Sequence, residues 1–161
     1  MLNRLMLAMC EFDRGVPHRI QHFTKVHAYC RLIGQAEGLD ARQLEILEAA
    51  AYTHDIGIKP ALEKFGSADG PLQEQEGPAC ARKMLGDLGF DEALIQRVCW
   101  LIAHHHTYWP VEGMDHRILI EADFLVNLFE GNASREAIET AYAKMFETAT
   151  GKKLMREMFD L

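Results

Sequence analysis

The 161-residue sequence has no cluster of basic residues and no long apolar run. It contains 17 Lys and Arg against 24 Asp and Glu, which gives a formal net charge of −7. Proteins that track nucleic acid or anionic membranes need clustered positive charge, so both functions are disfavoured. The apolar run at the start is too short for a secretory signal, and no segment approaches the ~20 residues that a transmembrane helix needs. We therefore expect a cytoplasmic protein.

Paired cysteines are also missing. The chain has four cysteines, Cys10, Cys30, Cys80 and Cys99, and none of them forms a Cys-x-x-Cys pair. Neither a disulfide framework nor a zinc ribbon is indicated. Cys30 and Cys99 fall within apolar helical patterns, where cysteine behaves as a small buried hydrophobic residue.

Sustained two-residue alternation is absent as well, and so are internal repeats. Apolar residues instead recur at spacings of three and four, which predicts helices throughout. A chain of this length with 48% hydrophobic residues can build one core and has little room for two. We expect an all-α protein, a single domain over residues 1–161 with about six to eight helices.

Helix breakers and N-cap residues indicate where these helices begin and end. Gly15 and Pro17 separate the first two, Asp40 with Gln43 three positions later is typical of a capping box, and Ser134 is a candidate N-cap. The predicted helices cover about 2–12, 17–36, 41 to the His54–Asp55 pair, 79–88, 92–106, 115–130 and 135–148, with a further short helix possible over 151–161. Residues 64–78, rich in Gly, Pro and charge, predict a loop that could act as a lid.

Ionisable side chains fall on the apolar faces of three predicted helices. His22 is in register with Val26, His54 continues the stripe that contains Ala51, and Asp123 lies among apolar neighbours. An ionised carboxylate on an apolar face costs several kcal/mol unless it is paired or bound to a metal. Singly, each has a simpler explanation, as a hydrogen-bonded core histidine or a salt-bridged carboxylate.

Three consecutive histidines, His104, His105 and His106, end the predicted helix 92–106. Helical register turns His105 inward and places His104 beside it, although a solvated helix end is the simpler explanation. Imidazoles and carboxylates converging from three helices, with no thiolate among them, suit a hard or borderline divalent ion. Mn, Fe, Mg, Co, Ni and Zn all remain open.

In this order, the residues resemble the HD-domain superfamily of metal-dependent phosphohydrolases, whose pattern is a histidine, an adjacent His-Asp pair and a distant aspartate. His22 in "HFTKV" has the valine that usually follows four positions later, "LIAHHH" resembles the paired histidines of the family, and "EADFL" resembles its final Ala-Asp. The resemblance spans about His18 to Val126. It implies an HD-fold helical bundle with a motif-bearing core over about 18–130 and C-terminal helices over 131–161.

The resemblance also implies roles for individual residues. His22, His54, Asp55 and Asp123 would hold one metal, and Asp55 would also orient or deprotonate a water molecule. His104 and His105 would contact the substrate phosphate or a second metal. The implied activity is hydrolysis of a phosphoester in a small phosphorylated metabolite, with a nucleotide favoured. The alternative is a noncatalytic HD module with a structural metal or a ligand-sensing role.

Two departures from the family pattern narrow this expectation. The branch that hydrolyses cyclic dinucleotides carries His-Asp-x-Gly-Lys, but Ile58 stands at that lysine position and Lys59 is one residue late. Gln73 occupies the place of the histidine in the His-Pro-x-x-Gly motif. That branch is therefore disfavoured and the case for a second metal is weaker, although a second metal remains possible.

Four further residues have open roles. Lys59 either neutralises a substrate phosphate or is a solvated helix-end lysine, and Glu76 is either an oxygen ligand or base or a carboxylate at a helix N-terminus. Tyr108 and Trp109 either stack on a nucleobase or pack against a neighbouring helix. A homodimer is also possible, given eight methionines and apolar termini.

Overall fold

The computed structural model describes all residues 1–161 and consists of nine α-helices joined by short connections, with no strand. The helices are α1 (Leu2–Phe12), α2 (Pro17–Ala36), α3 (Ala41–Thr53), α4 (Ile58–Phe65), α5 (Gly70–Leu88), α6 (Glu92–Ile102), α7 (Met114–Glu130), α8 (Arg135–Met145) and α9 (Ala149–Phe159). The expected all-α class is confirmed. The count is one above the expected range because residues 58–65 form a short helix that the sequence pattern did not predict. None of the nine helices combines the length and the apolar composition of a membrane span.

The core lies between α2, α3 and α7, and α5 packs against α6 beside it. The stripes predicted from periodicity face this core, since Val26, Leu47, Leu119 and Val126 are almost completely buried. The same faces carry His22, on α2, and Asp123, on α7, so the apolar packing that forms the bundle also brings these polar groups inward.

Several helix starts follow the predicted capping chemistry. The Asp40 side chain accepts from the backbone N–H groups of Arg42 and Gln43, and the Gln43 side chain accepts from the Asp40 N–H, which completes a capping box. Ser134 caps α8 as expected, and Asp91 caps α6. These side chains satisfy N–H groups that have no partner within the helix.

The prediction of a loop over residues 64–78 is wrong. Only residues 66–69 lie outside helices, and α5 begins at Gly70. Pro71 lies in the first turn, where a missing N–H costs no helical bond, whereas Pro78 lies inside the helix. The close packing of Gly77 against Ile102, where a Cβ would lie 2.5 Å from the Ile102 Cγ2 atom, helps to explain why the helix continues. Tertiary contacts here outweigh the local signal of Gly and Pro.

Two helix ends also differ from expectation. α6 ends at Ile102 and not at His106, and the chain then runs through a turn that includes the three histidines. α8 ends at Met145, and the short C-terminal helix suggested by the sequence is present as α9. Glu121, fully buried on α7, anchors the start of α9 by accepting hydrogen bonds from the backbone N–H groups of Glu147 and Thr148, at 2.7 and 2.9 Å.

Candidate metal centre

The four residues expected to bind a metal lie together at one point in the bundle. His22 comes from the second turn of α2, His54 and Asp55 follow the last residue of α3, and Asp123 comes from the middle of α7. His22, His54 and Asp123 are buried, whereas the Asp55 side chain retains 22% exposure. The centre therefore opens to solvent on the side of Asp55.

The ligand atoms of these residues are spaced as they would be around one ion. The His22 Nε2 atom lies 3.1 Å from Asp123 Oδ1 and 3.2 Å from His54 Nε2. Asp55 Oδ2 lies 3.5 Å from each of the two imidazole nitrogens. Metal–ligand bonds of about 2.0–2.2 Å separate neighbouring ligand atoms by roughly 2.8–3.6 Å, for angles between octahedral and tetrahedral. The observed spacing falls within this range.

The hydrogen bonds of the Nδ1 atoms of His22 and His54 determine which nitrogen of each ring keeps its lone pair. The His22 Nδ1 atom lies 2.8 Å from Glu130 Oε2, and His54 Nδ1 lies 2.9 Å from the carbonyl oxygen of Ala51. Carboxylates and carbonyls only accept, so both Nδ1 atoms carry the hydrogen and both Nε2 atoms direct a lone pair inward. Two lone pairs and two carboxylates then face one another with no donor among them. This donor set fits a divalent cation.

Without a cation, a proton must take its place. Burial lowers the pKa of His54, but the facing Asp55 and Asp123 carboxylates outweigh burial and raise that pKa to about 9. Burial raises the pKa of Asp55, but the neighbouring His54 and His105 bring it down to about 2. Burial raises the pKa of Asp123, but hydrogen bonds from His22 and His54, once these are protonated on Nε2, hold it well below its usual range. The carboxylates therefore stay ionised and the imidazoles attract protons.

A second group of ligand-type side chains lies on the other side of Asp55 and consists of Asp55, His105 and His106. The His105 Nε2 atom faces Asp55 Oδ1 at 3.5 Å, and the His105 Nδ1–H donates to the carbonyl of Ile102 at 2.7 Å. The buried His105 Nε2 has no hydrogen-bond partner. Asp55 thus has one oxygen facing each group.

The turn that carries the histidines is held from two directions. Glu74 Oε1 accepts from the His106 backbone N–H at 2.9 Å and from the Thr107 hydroxyl at 3.0 Å. On the opposite side, His116 Nε2 lies 2.9 Å from the carbonyl oxygen of His104. These contacts define the backbone around His105 without using its side chain.

His104, Lys59 and Glu76 are not brought into either group. The His104 ring stacks on Trp100 with a centroid distance of 4.1 Å. The Lys59 ammonium donates to the Phe12 carbonyl at 3.1 Å and lies over the Phe12 ring. Glu76 forms an ion pair with Lys64. These contacts direct the Lys59 and Glu76 side chains to neighbouring helices and the His104 side chain back onto α6.

Sequence reasoning missed His106, which joins the second group while His104 turns away. The predicted register assumed a helix through residue 106, but α6 ends at Ile102. The side chains that face inward after this point are therefore not those that a continued helix would turn inward. The triple histidine itself was the available signal, and periodicity could not choose among its members because the backbone leaves the helix first.

The two aromatic residues after the histidines have different surroundings. Tyr108 packs edge-on against Phe124 with a centroid distance of 5.2 Å, and its hydroxyl lies 3.5 Å from His106 Nδ1. The Trp109 side chain is 78% exposed. It lines a surface cavity of about 470 Å³ that contains no residue of the metal centre.

Comparisons with known proteins agree with this architecture. The chain is similar to the crystal structure of a predicted HD superfamily hydrolase from an uncultured Thermotogales bacterium, with a TM-score of 0.70 and 24% sequence identity. The match covers 98% of this chain and 84% of that one, and at this identity it supports the fold. A family model described as the HD domain matches residues 19–149, which include all four residues of the proposed ligand set. The chain therefore belongs to the HD domain family.

Proposed function

We propose that the protein is a metal-dependent phosphohydrolase that acts on a small phosphorylated metabolite. One observation supports this above the others: four acceptor groups converge at 3.1–3.5 Å, and the carboxylate of Asp55 connects them to the unpartnered His105 Nε2. A cation site bordered by a free proton acceptor suits hydrolysis by an activated water.

The chemistry divides between the ion and the side chains. A divalent ion, when bound, supplies positive charge for the phosphoryl oxygens and lowers the pKa of the attacking water. Asp55 Oδ1 and His105 Nε2 both accept hydrogen bonds, so a water between them is oriented by two acceptors. Either group can take the proton as the oxygen attacks phosphorus and the ester oxygen leaves. The His105 Nδ1–H bond to Ile102 keeps Nε2 available for this role.

A noncatalytic module with a structural metal is the second candidate function. Four protein ligands suit a closed structural site, whereas a catalytic site keeps a position open to water or substrate. The 22% exposure of Asp55 and the unpartnered His105 Nε2 favour the open arrangement. A closed structural centre has no use for an additional proton acceptor beside it.

A nucleotide is the substrate class that we favour. Tyr108 brings an aromatic ring to the edge of the second group, since its hydroxyl lies 3.5 Å from His106. Aromatic faces next to a phosphate site can stack on a base. Trp109 points into a different cavity, so this argument rests on Tyr108.

The first experiment combines metal content with turnover. Protein purified without chelators is analysed for bound metal and assayed with added Mn²⁺ on a panel of nucleotides and simple phosphoesters. Metal together with turnover, lost on chelation and regained with Mn²⁺, is the expected result. Metal without turnover across the panel would favour the structural module.

A substitution at Asp55 tests the site assignment. Asp55→Ala removes a ligand and leaves His105 without its acidic neighbour, so we expect loss of bound metal and a fall in kcat/KM of about 100-fold or more, the equivalent of at least about 2.7 kcal/mol. Lys59→Ala is the matched control four residues later, because Lys59 contacts Phe12. It should retain its metal. An Asp55→Ala protein with full metal content and activity would contradict the assignment.

A further inference from the structure

We propose that the centre holds one ion and that Gln73 prevents the group Asp55, His105 and His106 from binding a second. This inference rests on the proposed function and deepens it, because a group that binds no second ion can contact water and substrate. The hydrogen bonds of Gln73 and His106 determine how many atoms of the group are free to bind a metal.

The orientation of the Gln73 amide follows from its two partners. Its Nε2 lies 2.8 Å from the carbonyl oxygen of Ala68, which only accepts, so the amide nitrogen must face that carbonyl. Its Oε1 therefore faces His106 Nε2, at 3.2 Å. An oxygen acceptor at this distance requires the hydrogen of His106 on Nε2. That nitrogen then has no lone pair for a metal.

The remaining nitrogen of His106 also faces the protein. Its Nδ1 lies 3.5 Å from the Tyr108 hydroxyl, and the side chain packs against Gly70, where an added Cβ would lie 3.1–3.2 Å from two ring atoms and the Cβ of His106. The backbone of His106 is held by Glu74. The ring is thus confined from several sides.

Gln73 itself has little freedom to move away. It is buried, and its backbone carbonyl packs directly against Gly57, at a separation that leaves no room for a Cβ at that position. The tight contact fixes the first turns of α5 against the segment that follows His54 and Asp55. Releasing His106 would therefore require breaking a partly buried hydrogen bond.

Only two free ligand atoms remain in the second group, Asp55 Oδ1 and His105 Nε2. Zinc takes about four ligands, and the hard divalent ions take about six. The first centre offers four protein ligands, so it should bind an ion far more tightly than the second. The second group keeps two acceptors that can hold a water or approach a substrate.

The test counts ions and needs no substrate. Wild-type protein, His105→Ala and His54→Ala are saturated with Mn²⁺, desalted and analysed for metal per chain, and the titration is followed by calorimetry. We expect one ion in the wild type, one in His105→Ala, and almost none in His54→Ala. Two tightly bound ions in the wild type, or loss of one in His105→Ala, would overturn the inference.

A gain of metal provides the second test. Gln73→His replaces the amide with a possible ligand and releases His106, so we expect the count to rise from one ion to two. Gln75→His is the matched control, because Gln75 lies two residues later on α5 and is exposed, and it should stay at one. A folded Gln73→His protein that keeps one ion would refute the role given to Gln73. If this variant does not fold, the wild-type and His105→Ala counts still decide the stoichiometry.

The two proposals fail in different ways. One ion per chain without turnover on any phosphoester would leave the stoichiometry intact and remove the proposed hydrolase activity. Two ions together with turnover would refute the stoichiometry and leave the proposed hydrolase activity intact.

Discussion

The two oxygens of Asp55 have different neighbours. Oδ2 lies 3.5 Å from the inward nitrogens of His22 and His54, while Oδ1 faces His105 at the same distance. A single carboxylate can thus bind an ion with one oxygen and orient a water with the other. This dual use explains why an aspartate adjacent to a histidine is valuable at the end of a helix, where the backbone turns and lets both side chains reach the same centre.

The protonation of His54 predicts how the metal-free protein responds to pH. The folded pKa of His54, about 9, lies above its ordinary value of 6.5, so folding binds this proton more tightly. The resulting stabilisation is fully present below pH 6.5 and is lost as the pH rises through about 9. We therefore expect the melting temperature of chelator-treated protein to fall over this interval. Differential scanning calorimetry at a series of pH values measures this change in melting temperature.

Metal-loaded protein is the control for this experiment. An ion takes the place of the proton, so metal affinity should rise with pH over the same interval, by up to about tenfold per pH unit for each proton displaced. The melting temperature of the loaded protein should not fall in parallel. Identical pH profiles for the loaded and metal-free proteins would mean that His54 does not hold the proton.

At the scale of elements, the first turns of α5 support the second half of the site. Gln73 and Glu74 contact His106 through its side chain and its backbone, respectively. The segment from α4 to α5 that composition marked as a lid is therefore part of the scaffold. Gly77 in this segment serves close packing, because it lies against Gly57 where α5 meets the His-Asp segment.

Glu74 and Glu76 offer a matched pair of substitutions on this helix. Glu74→Ala removes the acceptor for two hydrogen bonds to the histidine turn, so we expect a loss of about 1–3 kcal/mol in the free energy of unfolding and a fall in kcat of about tenfold, with metal content unchanged. Glu74→Gln keeps a carbonyl acceptor and should restore most of the activity. Glu76→Ala, which removes an ion pair with Lys64, should leave kcat unchanged. Chemical denaturation and steady-state kinetics distinguish these outcomes.

Gly57 gives a prediction about the contact between elements. A Cβ at this position would overlap the carbonyl oxygen of Gln73 and lie 2.9 Å from the backbone nitrogen of Gly77, so Gly57→Ala should destabilise the fold by about 2 kcal/mol or more. Gly86→Ala in α5 is the control, since nothing lies within 4 Å of its added Cβ. It should stabilise the helix by about 0.5–1 kcal/mol. Equal unfolding midpoints for the two variants would contradict the packing described here.

At the scale of the whole molecule, net charge opposes the proposed substrate class. The chain carries a formal charge of −7, which a bound divalent ion only partly offsets. An anionic metabolite therefore approaches against an overall repulsion. We expect kcat/KM to rise about two- to threefold between low salt and about 0.15 M salt, where the Debye length shortens to about 8 Å. A rate that falls with added salt would point to an attractive local field that dominates the approach.

Periodicity and caps were sufficient to predict the bundle and the inward positions of three candidate ligands, whereas the role of Asp55 followed only from the family resemblance. The stripes on α2, α3 and α7 are long and regular, so the inward positions of His22, His54 and Asp123 follow from spacing alone. Local rules failed where tertiary contacts decide the backbone. Gly70 to Pro78 is helical because it packs against α6 and Gly57. Because the chain leaves α6 at Ile102, His106 joins the second group and His104 does not. Neither change leaves a trace in the local sequence pattern.

The two tryptophans give the protein an optical property that follows from the stacking of His104. Trp100 is half-buried and stacked on the first residue of the histidine turn, whereas Trp109 is mostly in water. A soluble quencher such as iodide should suppress the emission of Trp109 first. The residual fluorescence then comes from Trp100 and can follow ion binding and movement of the turn in real time, without an added dye.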